Sequence, residues 1–264
     1  MTALTDEIIV EKSNGVGRLI FNRPHKHNAI SFEMWQGISE AMDDFAADDN
    51  LRVVILSGAG TKAFSAGADI SQFAEQRASR EGVDVYDGAA MKAEHDLMHL
   101  DKPTIAMIQG YCIGGGAGVA LCCDLRIASE DARFGIPAAK LGLAYQWDEV
   151  YPLVQLVGPS FAKEILFTGR QFSAEEALRM GLVNRVVARA DLESCVDEYA
   201  RTIAANAPLT VRTAKQTIDE AAKDPQDRNL AAIQELVDGC FASEDYAEGR
   251  KAFMEKRKPA FKGR

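Results

Sequence analysis

The segment Ile108-Gln109-Gly110-Tyr111-Cys112-Ile113-Gly114-Gly115-Gly116-Ala117-Gly118 constrains the fold of this chain more than any other. The apolar run before it, Pro103 to Ile108, reads as a short buried strand. A second apolar run, Val119 to Cys123, follows directly. Glycine is needed where the backbone takes a positive φ or comes close to another group. Three in succession at the mouth of a helix fit two readings. One is a backbone N–H aimed at an anionic or developing anionic oxygen. The other is a crowded strand–helix crossing with no room for side chains.

A second segment repeats this pattern. Val53 to Ser57 is an apolar, β-branched strand that ends in Gly58-Ala59-Gly60. After it comes the small-residue run Lys62-Ala63-Phe64-Ser65-Ala66-Gly67-Ala68-Asp69-Ile70. Ser65 has no His or other base beside it in an elbow motif, so a nucleophilic serine is not expected.

Local signals organise the rest. Ile8 to Glu11 and Gly17 to Phe21 read as strands joined at Ser13-Asn14-Gly15. The loop Asn22-Arg23-Pro24-His25-Lys26-His27 is basic. No carboxylate or cysteine nearby completes a metal set with its histidines, but the loop suits a phosphate. Ser31 caps a helix reaching about Ala47, with Trp35, Ile38, Met42 and Phe45 on its buried face. From Ser71 to Leu100 the chain is polar and then helical. Met91, His95, Met98 and His99 share one side there, a stripe read as packing rather than a cofactor box. Gly158-Pro159 starts a helix, Ser173-Ala174-Glu175-Glu176 is a capping box, and Gly181 ends the helix that box opens. Beyond Asp191 the pattern is helical, over about 191–206, 209–223, 228–242 and 244–258. The expected organisation is an α/β core over 1–190 and a helical region over 191–264.

Composition excludes several roles. The 264 residues are 47% hydrophobic, enough for one large domain or one domain with an appendage. A net charge of −9 with no basic block argues against nucleic acid or a membrane surface as partner. The five cysteines show no CxxC or Cys/His spacing, so no metal site is expected. With no signal peptide or long apolar span in view, a cytoplasmic location is the expectation.

Two small-residue loops, Phe64-Ser65-Ala66-Gly67-Ala68-Asp69-Ile70 and Gly110-Tyr111-Cys112-Ile113-Gly114-Gly115-Gly116, each follow a strand. Upstream stand Asn22-Arg23-Pro24 and Asn28-Ala29; Ala252-Phe253-Met254-Glu255-Lys256-Arg257 lies near the end. With these motifs in this order, the chain resembles the enoyl-CoA hydratase/isomerase family, the crotonase superfamily, over nearly its whole length. The resemblance implies a spiral core of ββα turns and a helical C-terminal region that builds trimers, often paired as hexamers. It implies an acyl-CoA thioester substrate, with coenzyme A arriving as part of it and no separate cofactor. It assigns the thioester oxygen to the backbone N–H groups of Ala68 and Gly115. Two fixed dipoles in a dry site stabilise an enolate, at about 3–4 kcal/mol for one such donor. It also puts His25 and Lys26 near the CoA phosphates, and Ala66, Asp69 and Ile70 along the adenine and pantetheine path. Phe253 and Lys256 are expected from a neighbouring subunit.

The likeness carries one departure. Typical hydratases of the family have a glutamate after the glycine triplet and another after the Phe-Gly-x-Pro turn; those positions here are Gly118 and Ala138. Neither can carry a proton, and addition of water to a double bond needs a positioned acid and base. Gln146 matches, by spacing, an aspartate of other family members; it orients water but is no general base. Asp148 is a candidate proton carrier, although Asp148 and Glu149 are also ordinary helix-start acids. Tyr145 is a weaker candidate acid. Hydratase or isomerase chemistry, decarboxylation of a malonyl-type thioester without a base, and CoA-thioester binding without turnover all remain open, and the acyl pocket is expected from side chains between 71 and 100.

Overall fold

The computed structural model describes residues 5–76 and 79–264; residues 1–4, and 77 and 78 within the polar stretch after Ser71, lie outside it. Among the described residues the strands are β1 (Ile8–Ser13), β2 (Val16–Phe21), β3 (Val53–Gly58), β4 (Ala63–Ser65), β5 (Thr104–Ile108), β6 (Tyr111–Ile113), β7 (Leu125–Ser129), β8 (Arg133–Gly135), β9 (Phe172–Ser173) and β10 (Arg185–Val187). They form a larger sheet in the order β1-β2-β3-β5-β7-β10 and a smaller one in the order β4-β6-β8-β9. The β1–β2 hairpin is antiparallel, with Asn14 and Gly15 both at positive φ in its turn. From β2 onward the large sheet is parallel.

The chain therefore alternates between sheets. β3 leads to β4, β5 to β6, and β7 to β8, and a helix follows each pair. This is the expected ββα spiral. Its first helix, α1 (Phe32–Ala47), is capped by Ser31, whose Oγ accepts from Met34 N at 3.2 Å. Next come α2 (Phe73–Gln76) and α3 (Arg80–Met98), the latter running along α1. α4 (Gly115–Cys122) follows β6, and α5 (Ala138–Leu141) and α6 (Trp147–Thr168) follow β8. The helix expected to start at Gly158-Pro159 is the second half of α6, set off from the first by a kink. Gly158 leaves helical geometry at φ 73°, ψ 165°, and Pro159 opens the second half. α7 (Ala174–Met180) has the Ser173/Glu176 capping box and ends at Gly181 in the left-handed region.

Alternation along β3 gives the large sheet two apolar faces. Val54 and Leu56 join the main core with α1, α3 and α4. Val53 and Ile55 join a second layer with Ile105 and Ile127, covered by Leu192, Val196 and Ala200 of α8 (Leu192–Ala204). The first helix after residue 190 thus packs on the sheet. Beyond it α9 (Pro208–Ala222) pairs with α10 (Leu230–Ala242), and α11 (Glu244–Met254) follows. No described residue of α9 or α10 is fully buried, and Ile218, Leu230 and Phe241 are exposed.

The Met/His stripe of α3 corrects the packing expectation. His95 and His99 are exposed and stack on each other at 4.1 Å, whereas Met98 packs against the core. No described helix is long and apolar enough to cross a membrane.

Candidate active site

The two small-residue loops meet. Ile30 N donates to Gly67 O and Asp69 N donates to Ile30 O, both at 2.8 Å. These bonds pin the residues on either side of Ala68. The Ala68 N–H between them has no partner among the described residues. Asp69 fixes the loop further. Its Oδ2 accepts from Arg23 Nη2 and from Lys26 Nζ, each at 2.9 Å. Arg23 is itself buried; its Nη1 donates to Ala29 O and its Nε lies 2.8 Å from Glu7. Burial alone would raise the Asp69 pKa, but hydrogen bonds from Ser71, Lys26 and Arg23 outweigh it and hold the carboxyl well below the usual range.

The second loop supplies the facing amide. Gly114 caps α4 at φ 54°, ψ −124°, a conformation glycine alone adopts readily. Gly115 is the first residue of α4, so its N–H has no acceptor within the helix. It lies close to Ala68: a Cβ on Gly115 would stand 3.5 Å from Ala68 N. A Cβ on Gly116 would meet Ser65 Cβ at 2.6 Å, which explains the lack of a side chain there. The crowded-crossing reading of the glycine run thus holds, and the crossing sets the Gly115 amide near that of Ala68.

Ala68 and Gly115 line a cleft of about 160 Å³. Trp35 and Tyr86 form part of its wall, with Trp35 Nε1 donating to Tyr86 Oη at 3.1 Å. Ala66, Ile70, Gln146 and Tyr145 also line it, as do Tyr86, Ala90, Met91 and Glu94 from α3. The 71–100 region therefore contributes to the pocket wall. Ala138 is there too, presenting only a methyl group.

The other expected residues stand elsewhere. Lys26 pairs with Asp69 at one end of the loop, and His25 is exposed beside it. The Asp69 carboxylate is consumed by its two cations and Ser71, and does not line the cleft. Phe253 is 83% exposed at the end of α11, and Lys256 follows at φ 54°; neither reaches the cleft within one chain. Asp148 is exposed in the first turn of α6. It borders a smaller cavity of about 20 Å³ beside the cleft, not the cleft itself. Gln146 is the N-cap of α6, and its N–H donates to Glu149 Oε2 at 2.6 Å. Burial pushes the Tyr145 hydroxyl above the ordinary phenol range, with Glu149 and Glu94 adding to the shift, so it stays protonated and is no base.

Sequence reasoning missed Glu94. It borders both the cleft and the smaller cavity. Burial first, and the charge of Glu149 second, push its carboxyl up to about 8. The available signal was its register: Glu94 stands four residues after Ala90 and eight after Tyr86, on the side of α3 that turns inward.

A family model described as enoyl-CoA hydratase/isomerase matches residues 11–264. The chain belongs to the enoyl-CoA hydratase/isomerase family. Among its relatives, the short-chain-enoyl-CoA hydratase of Clostridium acetobutylicum is 38% identical over 98% of this chain and 99% of its own. The carnitinyl-CoA dehydratase of Salmonella enteritidis is 35% identical over 99% of this chain and 100% of its own. A solved enoyl-CoA hydratase/carnithine racemase from Magnetospirillum magneticum is 38% identical and superposes with a TM-score of 0.92, covering 98% of this chain and 97% of that one. This member of the enoyl-CoA hydratase/isomerase family thus has the crotonase fold, and its relatives are named for chemistry on CoA thioesters.

Proposed function

We propose that the protein is an acyl-CoA enzyme that holds a thioester carbonyl between the N–H groups of Ala68 and Gly115 and carries out lyase- or isomerase-type chemistry on an enoyl-CoA. The observation that carries this reading is the pair of unpartnered amides on one cleft wall, each fixed by its own loop. Removing a proton from the α carbon, or adding water at the β carbon, drives charge onto the thioester oxygen. Rigid donors at that oxygen stabilise the enolate with no reorganisation during the reaction. The names of the relatives, a hydratase and a dehydratase, favour addition or removal of water.

The CoA chain runs past Ala66 and Ile70 on this reading, with Lys26 and His25 toward the phosphates. Asp69 acts from behind, as the anion that fixes Arg23 and Lys26. The exposed apolar sides of α9 and α10 assemble three chains, and Phe253 and Lys256 of one copy then complete the CoA site of the next. Coenzyme A is a moiety of the substrate, and the reading calls for no other cofactor.

The test is spectroscopic. An aromatic enoyl-CoA, such as a cinnamoyl thioester, absorbs at longer wavelength when its carbonyl is polarised. We expect a red shift on binding, together with hydration of crotonyl-CoA. Failure to bind saturated butyryl-CoA, or binding of the chromophore with an unshifted spectrum, overturns the reading.

A further inference from the structure

Gly118 and Glu94 occupy one another's space. A Cβ added at Gly118 of α4 would stand 2.7 Å from Glu94 Oε1 of α3. The carboxyl group of Glu94 thus fills the volume that a side chain at 118 would take. Gly118 is also a position at which the sequence resemblance leads one to expect a glutamate. The missing side chain on α4 and the carboxyl reaching over from α3 are complementary.

We propose that Glu94, entering from α3 through the gap left at Gly118, is the proton-transferring residue of the thioester site. The proposal rests on the reading that the cleft takes a thioester, and it supplies the proton carrier that reading lacks. Glu94 borders the cleft that holds the Ala68 and Gly115 amides. No hydrogen bond or ion pair to its carboxyl is present among the described residues, so its oxygens are available. Asp148, the carrier expected from sequence, is exposed in the helix turn outside that cleft. The ionisable groups facing Glu94 are Tyr145, Asp148 and Glu149 from the start of α6 and Cys122 from α4; Asp87 of α3 borders the same cleft. None of these is a cation, so nothing in that wall favours the charged form of Glu94. Its proton is accordingly lost near pH 8 rather than in the usual carboxylate range.

The step balances with one carboxylate. Ionised Glu94 accepts a proton from water as the water oxygen bonds to the β carbon. The electron pair of the double bond moves onto the thioester oxygen, held by the two amides. The enolate then collapses, and the α carbon takes the proton back from Glu94. Water has been added, and the carboxylate is regenerated. With a saturated thioester the same group removes an α proton and returns one exchanged with solvent.

The test compares wild type with Glu94→Gln, a neutral variant of equal shape. It uses three readouts: binding of butyryl-CoA by calorimetry, exchange of its α protons in D2O by NMR, and hydration of crotonyl-CoA across pH. We expect the variant to bind butyryl-CoA as wild type does while losing exchange and kcat by about 100-fold or more. Wild-type kcat/KM rises with pH to a plateau above about 8, and the variant lacks this limb. Exchange and turnover within about threefold of wild type in the variant overturn the assignment. So does a wild type that binds butyryl-CoA yet neither exchanges nor hydrates. A wild type that fails to bind butyryl-CoA at all overturns the thioester reading itself, a separate result.

Discussion

Asp69 and Glu94 are carboxyl groups in opposite surroundings. Asp69 meets Arg23 and Lys26, and its depressed pKa means that the folded state prefers the ion. Its contribution to stability is full above the unfolded value near 3.8 and is lost as pH falls toward the lower folded value. Asp69→Asn leaves Arg23 buried with one partner fewer, and is expected to cost about 3 kcal/mol near neutral pH. In thermal melts the gap between wild type and variant should narrow between pH 4 and pH 2. Glu94 has the reverse sign. Its folded pKa lies above the unfolded one, so stability falls as pH rises from about 4.5 to about 8. Glu94→Gln removes that penalty and should stabilise the protein at pH 8 by about 1–3 kcal/mol, with little effect at pH 4. The motif residues around Ala68 and Gly115 were readable from the chain because main-chain sites demand small residues wherever they occur. Glu94 was not, because its meaning depends on a glycine twenty-four positions away on another helix.

The approach of β4 to α4 sets the distance between the two amides. Gly116→Ala would drive a methyl group into Ser65. We expect a loss of about 1–3 kcal/mol in stability and at least a tenfold fall in affinity for butyryl-CoA, measured by calorimetry. Gly88→Ala in α3 makes the contrast. A Cβ at Gly88 meets nothing within 4 Å, and the same substitution should stabilise by about 0.5–1 kcal/mol with binding unchanged. Elements with local start and stop signals were legible in the sequence: the Ser31 cap, the Ser173/Glu176 box and the Gly181 stop all stand where their hydrogen bonds require. The break at Gly158-Pro159 was equally legible: Gly158 leaves helical geometry and Pro159 opens a new helical run. Orientation decided by packing was less so. The stripe of His95 and His99 follows helical spacing but turns to solvent, since periodicity alone does not say which side of a helix meets the core.

At the scale of the molecule, the sheet is covered by helices on both faces, while the α9–α10 pair leaves Ile218, Leu230 and Phe241 exposed. Apolar surface of this kind is usual where copies associate. Light scattering after gel filtration should give a mass three or six times that of the 28.7 kDa chain, and Phe241→Glu should lower it. A monomeric wild type overturns that expectation. Loss of CoA affinity in the dissociated variant would follow if Phe253 and Lys256 act across the contact. The helical pattern after Asp191 was plain in the sequence. That α8 covers the sheet while α9 and α10 bury no residue fully was not, because amphipathic spacing does not name the surface each helix meets.

The bridge from Ile30 to the neighbours of Ala68 is made only of peptide groups. On the proposed reading, polarisation of a carbonyl there depends on no particular side chain. Inheritance can then shuffle the acid–base partner from one helix to another without disturbing the electrophilic half, so the reaction performed by such a scaffold is free to drift while its grip on the bond being activated stays the same.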